Sequence, residues 1–206
     1  MLSAIINFFR KLIFRQKNVK LGFYGSTNVG KTTLANRMAV DLLGEPLGNV
    51  SPVPHETRNV MSKEHVELKT GGYSLVMNIL DMPGIAVKVD YRDFMEYGLG
   101  KKEAQTRAKE ATRGIVEAVK WLENVDAVLV VVDSTEDPYD QINITLLGNL
   151  EARNIPFIIV ANKIDLPGSN TKRIHEVFPN YPVVEVSAAT GQNMENLYDE
   201  LAIHLL

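Results

Sequence analysis

Cysteine is absent from the 206-residue chain. Disulfides and thiolate-held metals are therefore excluded, and the absence fits a reducing cytoplasm. Excess positive charge is missing too. The formal net charge is −3, so bulk electrostatics make no case for nucleic acid, and no specific nucleic-acid partner is expected. No apolar run approaches the roughly 20 residues of a membrane span. Near the N-terminus the apolar residues precede the basic ones, the reverse of a secretory signal. Repeats and low-complexity tracts are also lacking. What remains is a chain with 45% hydrophobic residues, enough for one well-buried core and too little for two ordinary domains.

Along the chain, Leu2–Arg15 reads as an amphipathic helix and Val19–Gly25 as a strand. A helix is expected from about Thr32 to Leu43, then a long Gly-, Pro- and Asn-rich loop over Gly44–Asn59. Val60–Leu68 and Tyr73–Leu80 are strand-like and separated by a hairpin signal, TGG. Apolar positions every three or four residues predict a helix over Lys101–Glu123. The continuous apolar run Asp126–Asp133 suits a central parallel strand. Tyr139–Arg153 reads as helix, Ile155–Asp165 as strand, Lys172–Phe178 as a short helix and Tyr181–Ser187 as strand; Met194–Leu206 closes as a helix. This alternation predicts an α/β domain with a six-stranded, mainly parallel sheet, one antiparallel edge strand and helices on both faces. The expected division is an N-terminal helix, 1–17, and one domain, 18–206.

GSTNVGKTT, Gly25–Thr33, follows the first strand and opens the first long helix. Its G-x-x-x-x-G-K-[ST] spacing is that of a phosphate-binding loop, whose backbone N–H groups and helix N-terminus favour negative charge. Gly25 allows a tight turn and Gly30 a close approach of backbone to phosphate. Lys31 is placed to reach the β- and γ-phosphates, and the Thr32 hydroxyl to ligate Mg²⁺. Thr27, Asn28, Val29 and Thr33 complete the candidate loop. In DMPG, Asp81 ends a buried strand and would hold Mg²⁺ through a water, while the Gly84 N–H would meet a γ-phosphate.

ANKID, Ala161–Asp165, selects the base. It follows a buried strand, at the edge where such sheets bind ligands. The Asp165 carboxylate can accept from guanine N1–H and its N2 amine together, which adenine cannot match. Asn162 would contact the base and brace the phosphate loop, and the Lys163 stem would cover the ring. A competing reading makes this a polar loop with Asp165 as a helix cap. Ser187, Ala188 and Ala189 end the next strand, with the Ala188 N–H expected to face guanine O6.

With these motifs in order, residues 19–206 resemble the GTPase superfamily of P-loop NTPase G domains, and most closely its Era/TrmE/septin-like, translation-factor-related class. VSPVPHETRN, Val50–Asn59, is similar to that class's V-S-x-x-P-G-T-T-R-D, and SAATGQNMENL to its S-A-x-x-G-x-x-x-x-x-L ending. The resemblance implies that Thr57 ligates Mg²⁺ and senses the γ-phosphate, so Lys31, Thr57 and Gly84 become the candidate catalytic residues. His55 and Glu56 depart from the pattern, as does Asn59, and Ala189 stands where Ras-like proteins often carry lysine. Ile85 stands where Ras has its water-positioning glutamine, and an isoleucine cannot orient water by hydrogen bonding. An arginine from a partner would supply the missing charge. So would K⁺, which several Era-like GTPases bind through an asparagine at the position of Asn28; alternatively Asn28 merely suits a turn. Such relatives often pair through their G domains, so a GTP-dependent homodimer is one implied state. Era itself carries an RNA-binding KH domain after this point; none is expected here, and rRNA binding of that kind is not implied.

Two stretches fall outside the motifs. Residues 85–113 begin at the γ-phosphate sensor and mix acidic with basic residues. They read either as a solvated helix or as a nucleotide-sensitive surface for a protein effector. In the first stretch, Leu2, Ile5, Ile6, Phe8, Phe9, Leu12 and Ile13 share an arc of roughly 160° at helical spacing. Arg10, Lys11, Arg15 and Lys17 lie off that face. This suits either an interfacial helix on the inner face of the cell membrane or a helix docked on the domain. The expected activity is slow hydrolysis of GTP to GDP and phosphate as a conformational switch. The alternatives are a nucleotide-dependent binding module with negligible turnover and a P-loop kinase, against which NKID argues.

Overall fold

The computed structural model describes residues 19–47, 61–70, 73–82, 84, 100–102 and 120–205. The expected N-terminal helix, Thr57, Ile85 and most of the Lys101–Glu123 helix lie outside them. Six strands form one sheet: β1 Val19–Tyr24, β2 Met61–Thr70, β3 Tyr73–Asp81, β4 Ala127–Asp133, β5 Phe157–Asn162 and β6 Val183–Glu185. Their order is β2-β3-β1-β4-β5-β6. Every pair is parallel except the hairpin β2–β3 at one edge.

The helices are α1 Lys31–Leu43, α2 Gln141–Ala152, α3 Thr171–Val177 and α4 Met194–Leu205. Successive strand side chains alternate between faces, and both faces are covered, which is why β4 reads AVLVVVD with all seven residues buried. Leu129 and Val131 pack with Leu34, Ala35 and Met38 of α1 and with Leu197 and Leu201 of α4. Val128, Val130 and Val132 pack on the other face with Leu146, Leu147 and Leu150 of α2 and Ile174 of α3.

Edge strand β2 carries a bulge between Lys63 and Val66. His65 sits there at φ 57°, with its N–H 3.0 Å from Asn78 Oδ1. Such a kink, together with exposed charged residues, blunts the edge against pairing with another chain.

Two strands are shorter than their apolar runs predict. β5 stops at Asn162 because Lys163 takes a left-handed backbone, φ 69°, which cannot extend a strand. β6 stops at Glu185, and the chain then turns so that the Ser187 N–H donates to Gln192 O at 3.1 Å.

The register decides what meets at the top of the sheet. Phe23 lies beside Asp81 on one side and Leu129 on the other, and Asp133 lies beside Asn162. The carboxyl ends of β1, β3, β4 and β5 therefore converge on one edge. Parallel strands impose this, since each returns to the same starting side through its crossover helix.

Candidate nucleotide-binding site

α1 begins where β1 ends, and its N-terminus differs from those of α2 and α3. Asp140 caps α2 by accepting from the Asn143 N–H at 2.6 Å, and Asn170 caps α3 by accepting from the Arg173 N–H at 3.1 Å. Gly30, at φ 95°, starts α1 with no side-chain cap, and no acidic residue occupies the first turn. The cap residue of α1 thus offers no acceptor side chain to the first turn, and the helix dipole there favours an anion. Gly30 has a further constraint that spacing did not reveal. A Cβ at this position would run into the Asn162 amide nitrogen.

Lys31 is buried. Its ammonium donates to Gly25 O at 3.2 Å and Ser26 O at 2.6 Å. Burial lowers its pKa to about 8, against a smaller opposing effect of Asp81. The Thr32 hydroxyl donates to Asp81 Oδ2 at 2.7 Å. Asp81 is fully buried, and that burial raises its pKa despite Thr32 and Lys31. Asp81 Oδ1 and Ser26 Oγ are buried with no hydrogen-bond partner among the described residues. A Cβ on Gly84 would lie 2.8 Å from Thr27 Cγ2 and 3.2 Å from the Lys31 ammonium. Residue 84 thus closes directly over the loop.

Unpaired buried oxygens are costly and point to an absent partner. The Thr32 hydroxyl and the Asp81 carboxylate are hard oxygen donors. No cluster of three or more His, Cys, Asp or Glu able to hold a metal occurs among the described residues. A cation here would need the ligand's own oxygens and water, which is the coordination habit of Mg²⁺ on nucleotide phosphates.

The other end is built from β5 and the loop after β6. Asn162 Nδ2 donates to Val29 O at 2.9 Å, and its Oδ1 accepts the Ala188 N–H at 3.0 Å. The expected brace between base loop and phosphate loop is thus present. The Ala188 N–H, expected to face guanine O6, is instead engaged by Asn162. Ser187 is buried, and its hydroxyl accepts the Thr190 N–H at 3.1 Å.

Asp165 sits in an exposed turn after β5. Asn170, not Asp165, caps α3, so the helix-cap reading of Asp165 fails. Asn28 is exposed in the left-handed region, φ 61°. That backbone suits a turn asparagine and leaves its side chain facing solvent.

Two residues without a motif shape this end. Asp133, at the tip of β4, pairs with Lys163 Nζ at 2.5 Å and accepts the Thr135 N–H at 2.9 Å and its hydroxyl at 2.7 Å. Burial pushes its pKa up, but these hydrogen bonds outweigh that and hold it below the ordinary value. A carboxylate ending an apolar strand run was the available signal. Arg37 of α1 donates to Ala188 O at 3.2 Å and Ala189 O at 3.0 Å; nothing in the local sequence marks it.

The site therefore joins residues 25–33, 81, 84, 162–165 and 187–189 along one sheet edge. It offers an anion cradle with a buried cation at one end and a hydrogen-bonded loop pair at the other.

Comparison with known proteins agrees with this geometry. Residues 20–163 match the family described as 50S ribosome-binding GTPase. GTPase Era of Caldanaerobacter subterraneus subsp. tengcongensis is 32% identical over 189 residues, spanning 88% of this chain and 53% of that protein. GTPase Der of Syntrophobacter fumaroxidans is 29% identical over 189 residues, spanning 87% of this chain and 37% of that protein. The chain thus spans about half or less of these curated relatives. A solved Aquifex aeolicus Era variant bound to GDP·AlF4⁻ superposes with TM-score 0.68 at 26% identity, covering 93% of this chain and 58% of that one. No helix among the described residues is long and apolar enough to cross a membrane.

Proposed function

The chain belongs to the 50S ribosome-binding GTPase family, and from that premise we propose that it binds GTP and GDP with Mg²⁺ and slowly hydrolyses GTP as a conformational switch. The observation that carries this is the group of buried Lys31 and Asp81 with half-buried Thr32 beneath Gly84, with Asp81 Oδ1 left without a hydrogen-bond partner among the described residues. Lys31 would neutralise the β- and γ-phosphates. Thr32 would ligate Mg²⁺, and Asp81 would hold it through a water. When bound, the metal stabilises charge that develops on the transferred phosphoryl group. Gly84 would signal the γ-phosphate to the segment that follows, and Thr57 would do the same for the loop before β2. Asp165 would select guanine, with Lys163 covering the ring. The direct test is Mg²⁺-dependent release of phosphate from GTP by the purified protein with no acceptor present. Tight GDP binding without release would leave a nucleotide-dependent binding module.

Finer readings extend this one. Residues 18–206 act as the G domain, with 1–17 as an appended helix. K⁺ beside Asn28 would replace the missing glutamine. The exposed Asn28 side chain supports this; its left-handed backbone is equally what a turn requires. Faster hydrolysis in K⁺ than in Na⁺, abolished by Asn28→Ala, is the expected result; equal rates would favour an arginine from a partner. Residues 85–113 would contact a protein effector, and GTP would promote pairing of two G domains. The apolar face of residues 2–15 would rest on the inner surface of a membrane, the protein being otherwise cytoplasmic. Equal flotation with liposomes by the full chain and by residues 18–206 would remove that role.

A further inference from the structure

We propose that Arg37 is a positioning residue for guanine selectivity, acting through the backbone of Ala188 and Ala189. The inference rests on the GTP-binding reading above. Arg37 lies on α1, two turns beyond the phosphate loop, yet its guanidinium donates to two successive carbonyls 151 and 152 residues away. The planar fork of arginine suits two neighbouring acceptors; a lysine ammonium is a single point charge with no such fork.

Ala188 is held from both sides. Its N–H goes to Asn162 Oδ1 at the end of β5, and its C=O goes to Arg37 Nε. In a trans peptide the C=O and the next N–H point in opposite directions. Arg37 therefore turns the Ala189 N–H away from α1. The next amide, that of Thr190, is folded onto Ser187 Oγ. Ala189 is thus the residue of this loop whose N–H the Arg37 contact aims, and under this proposal guanine O6, expected from the sequence at the Ala188 N–H, is met by the Ala189 N–H instead.

Arg37 is itself held in place. Asp41, one turn further along α1, lies 3.7 Å from Nη1 and accepts the Tyr198 hydroxyl of α4 at 2.7 Å. These contacts are part-exposed, about 30% for both charged side chains. Surface ion pairs of this kind add little to stability. Fixing a loop is therefore a better account of the arrangement than holding the fold.

The test compares GDP with 6-thioguanosine diphosphate, which keeps N1–H and the N2 amine but replaces O6 with a weak acceptor. Wild-type protein is expected to prefer GDP. Arg37→Met should lower GDP affinity about 10-fold, the loss of one aligned hydrogen bond. The thio analogue should be unaffected, so the preference collapses. Arg37→Lys should give an intermediate preference, and it keeps the proposal testable if Arg37→Met unfolds. Equal losses for both nucleotides, or no loss, would overturn the proposal. So would a wild-type protein that binds both equally. A wild-type protein that binds neither removes the functional reading itself, a distinct outcome.

Discussion

The two ends of the candidate site solve opposite problems. At the phosphate end, buried polar groups are left open. Lys31 is capped by backbone carbonyls and held near pKa 8, while Asp81 Oδ1 and Ser26 Oγ have no hydrogen-bond partner among the described residues. At the base end nearly everything is already paired: Asn162 with Val29 and Ala188, Lys163 with Asp133, and the Ala188–Ala189 carbonyls with Arg37. Asp165 and Ala189 are the exposed members among the base-contacting candidates. The lesson concerns preorganisation. Strong, weakly directional charge can be left unsatisfied until a polyanion arrives. Recognition of one purine by two or three hydrogen bonds needs its frame built beforehand, because a frame assembled on binding would spend the selectivity on ordering.

The largest effect is expected at the open end. Lys31→Ala should weaken GDP binding by about 10³-fold, since truncating one partner of a buried charge pair leaves the phosphate charge uncompensated. Titration with a fluorescent GDP analogue measures it. A loss under tenfold would mean that the α1 N-terminus alone carries the phosphate.

Next comes the exposed member of the built end. Asp165→Asn should cost about 10²-fold in GDP affinity and make xanthosine diphosphate the better ligand, because an amide donates where the carboxylate only accepted. An unchanged preference would remove Asp165 from the base site.

Asn162→Ala attacks the frame rather than a ligand contact. It strands the Val29 carbonyl and the Ala188 N–H in a buried place. The nucleotide-free protein should lose about 2 kcal/mol, the cost of unsatisfied buried groups. Urea denaturation is the measurement. A loss confined to GDP affinity would mean that the frame forms only with nucleotide.

The smallest effect is protonic. Below pH 8 the Lys31 ammonium is charged in the free protein; above it the proton is lost, and a bound phosphate must draw it back. GDP binding should therefore take up a proton above pH 8, with affinity falling at most about tenfold per pH unit. Calorimetry in buffers of different ionisation enthalpy reads the uptake, and Lys31→Ala should remove it. The same lowered pKa makes the charged form unfavourable in the fold. Stability of the free protein should thus rise with pH between about 8 and the ordinary lysine value of 10.5.

Much of this was legible in the sequence. Six strands, their parallel bias and the edge hairpin followed from apolar run lengths and turn residues. The candidate loops followed from spacing, because the backbone of Gly25 and Gly30 and the side chains of Lys31 and Thr32 lie within nine consecutive residues. The ends of β5 and β6 were not legible. There the expected strands, to Asp165 and Ser187, run past Asn162 and Glu185, where a left-handed Lys163 and a turn at Ser187 stop the ladder.

The residues of this chain by themselves determined which candidate chemistry is on offer: a G-x-x-x-x-G-K-T loop, a carboxylate at a strand end and an N-K-x-D run, each encoded within a few positions. The tertiary structure decided how these are held. Asp133 and Lys163 are 30 residues apart, Val29 and Asn162 are 133 apart, and Arg37 reaches 151 residues to Ala188. No local pattern encodes such pairs, because the parallel sheet brings strand ends together by register while the chain between them takes long crossovers. Gly30 illustrates both levels: its place in the motif was readable from spacing, but the clash that forbids a side chain there comes from Asn162, which only the fold places beside it.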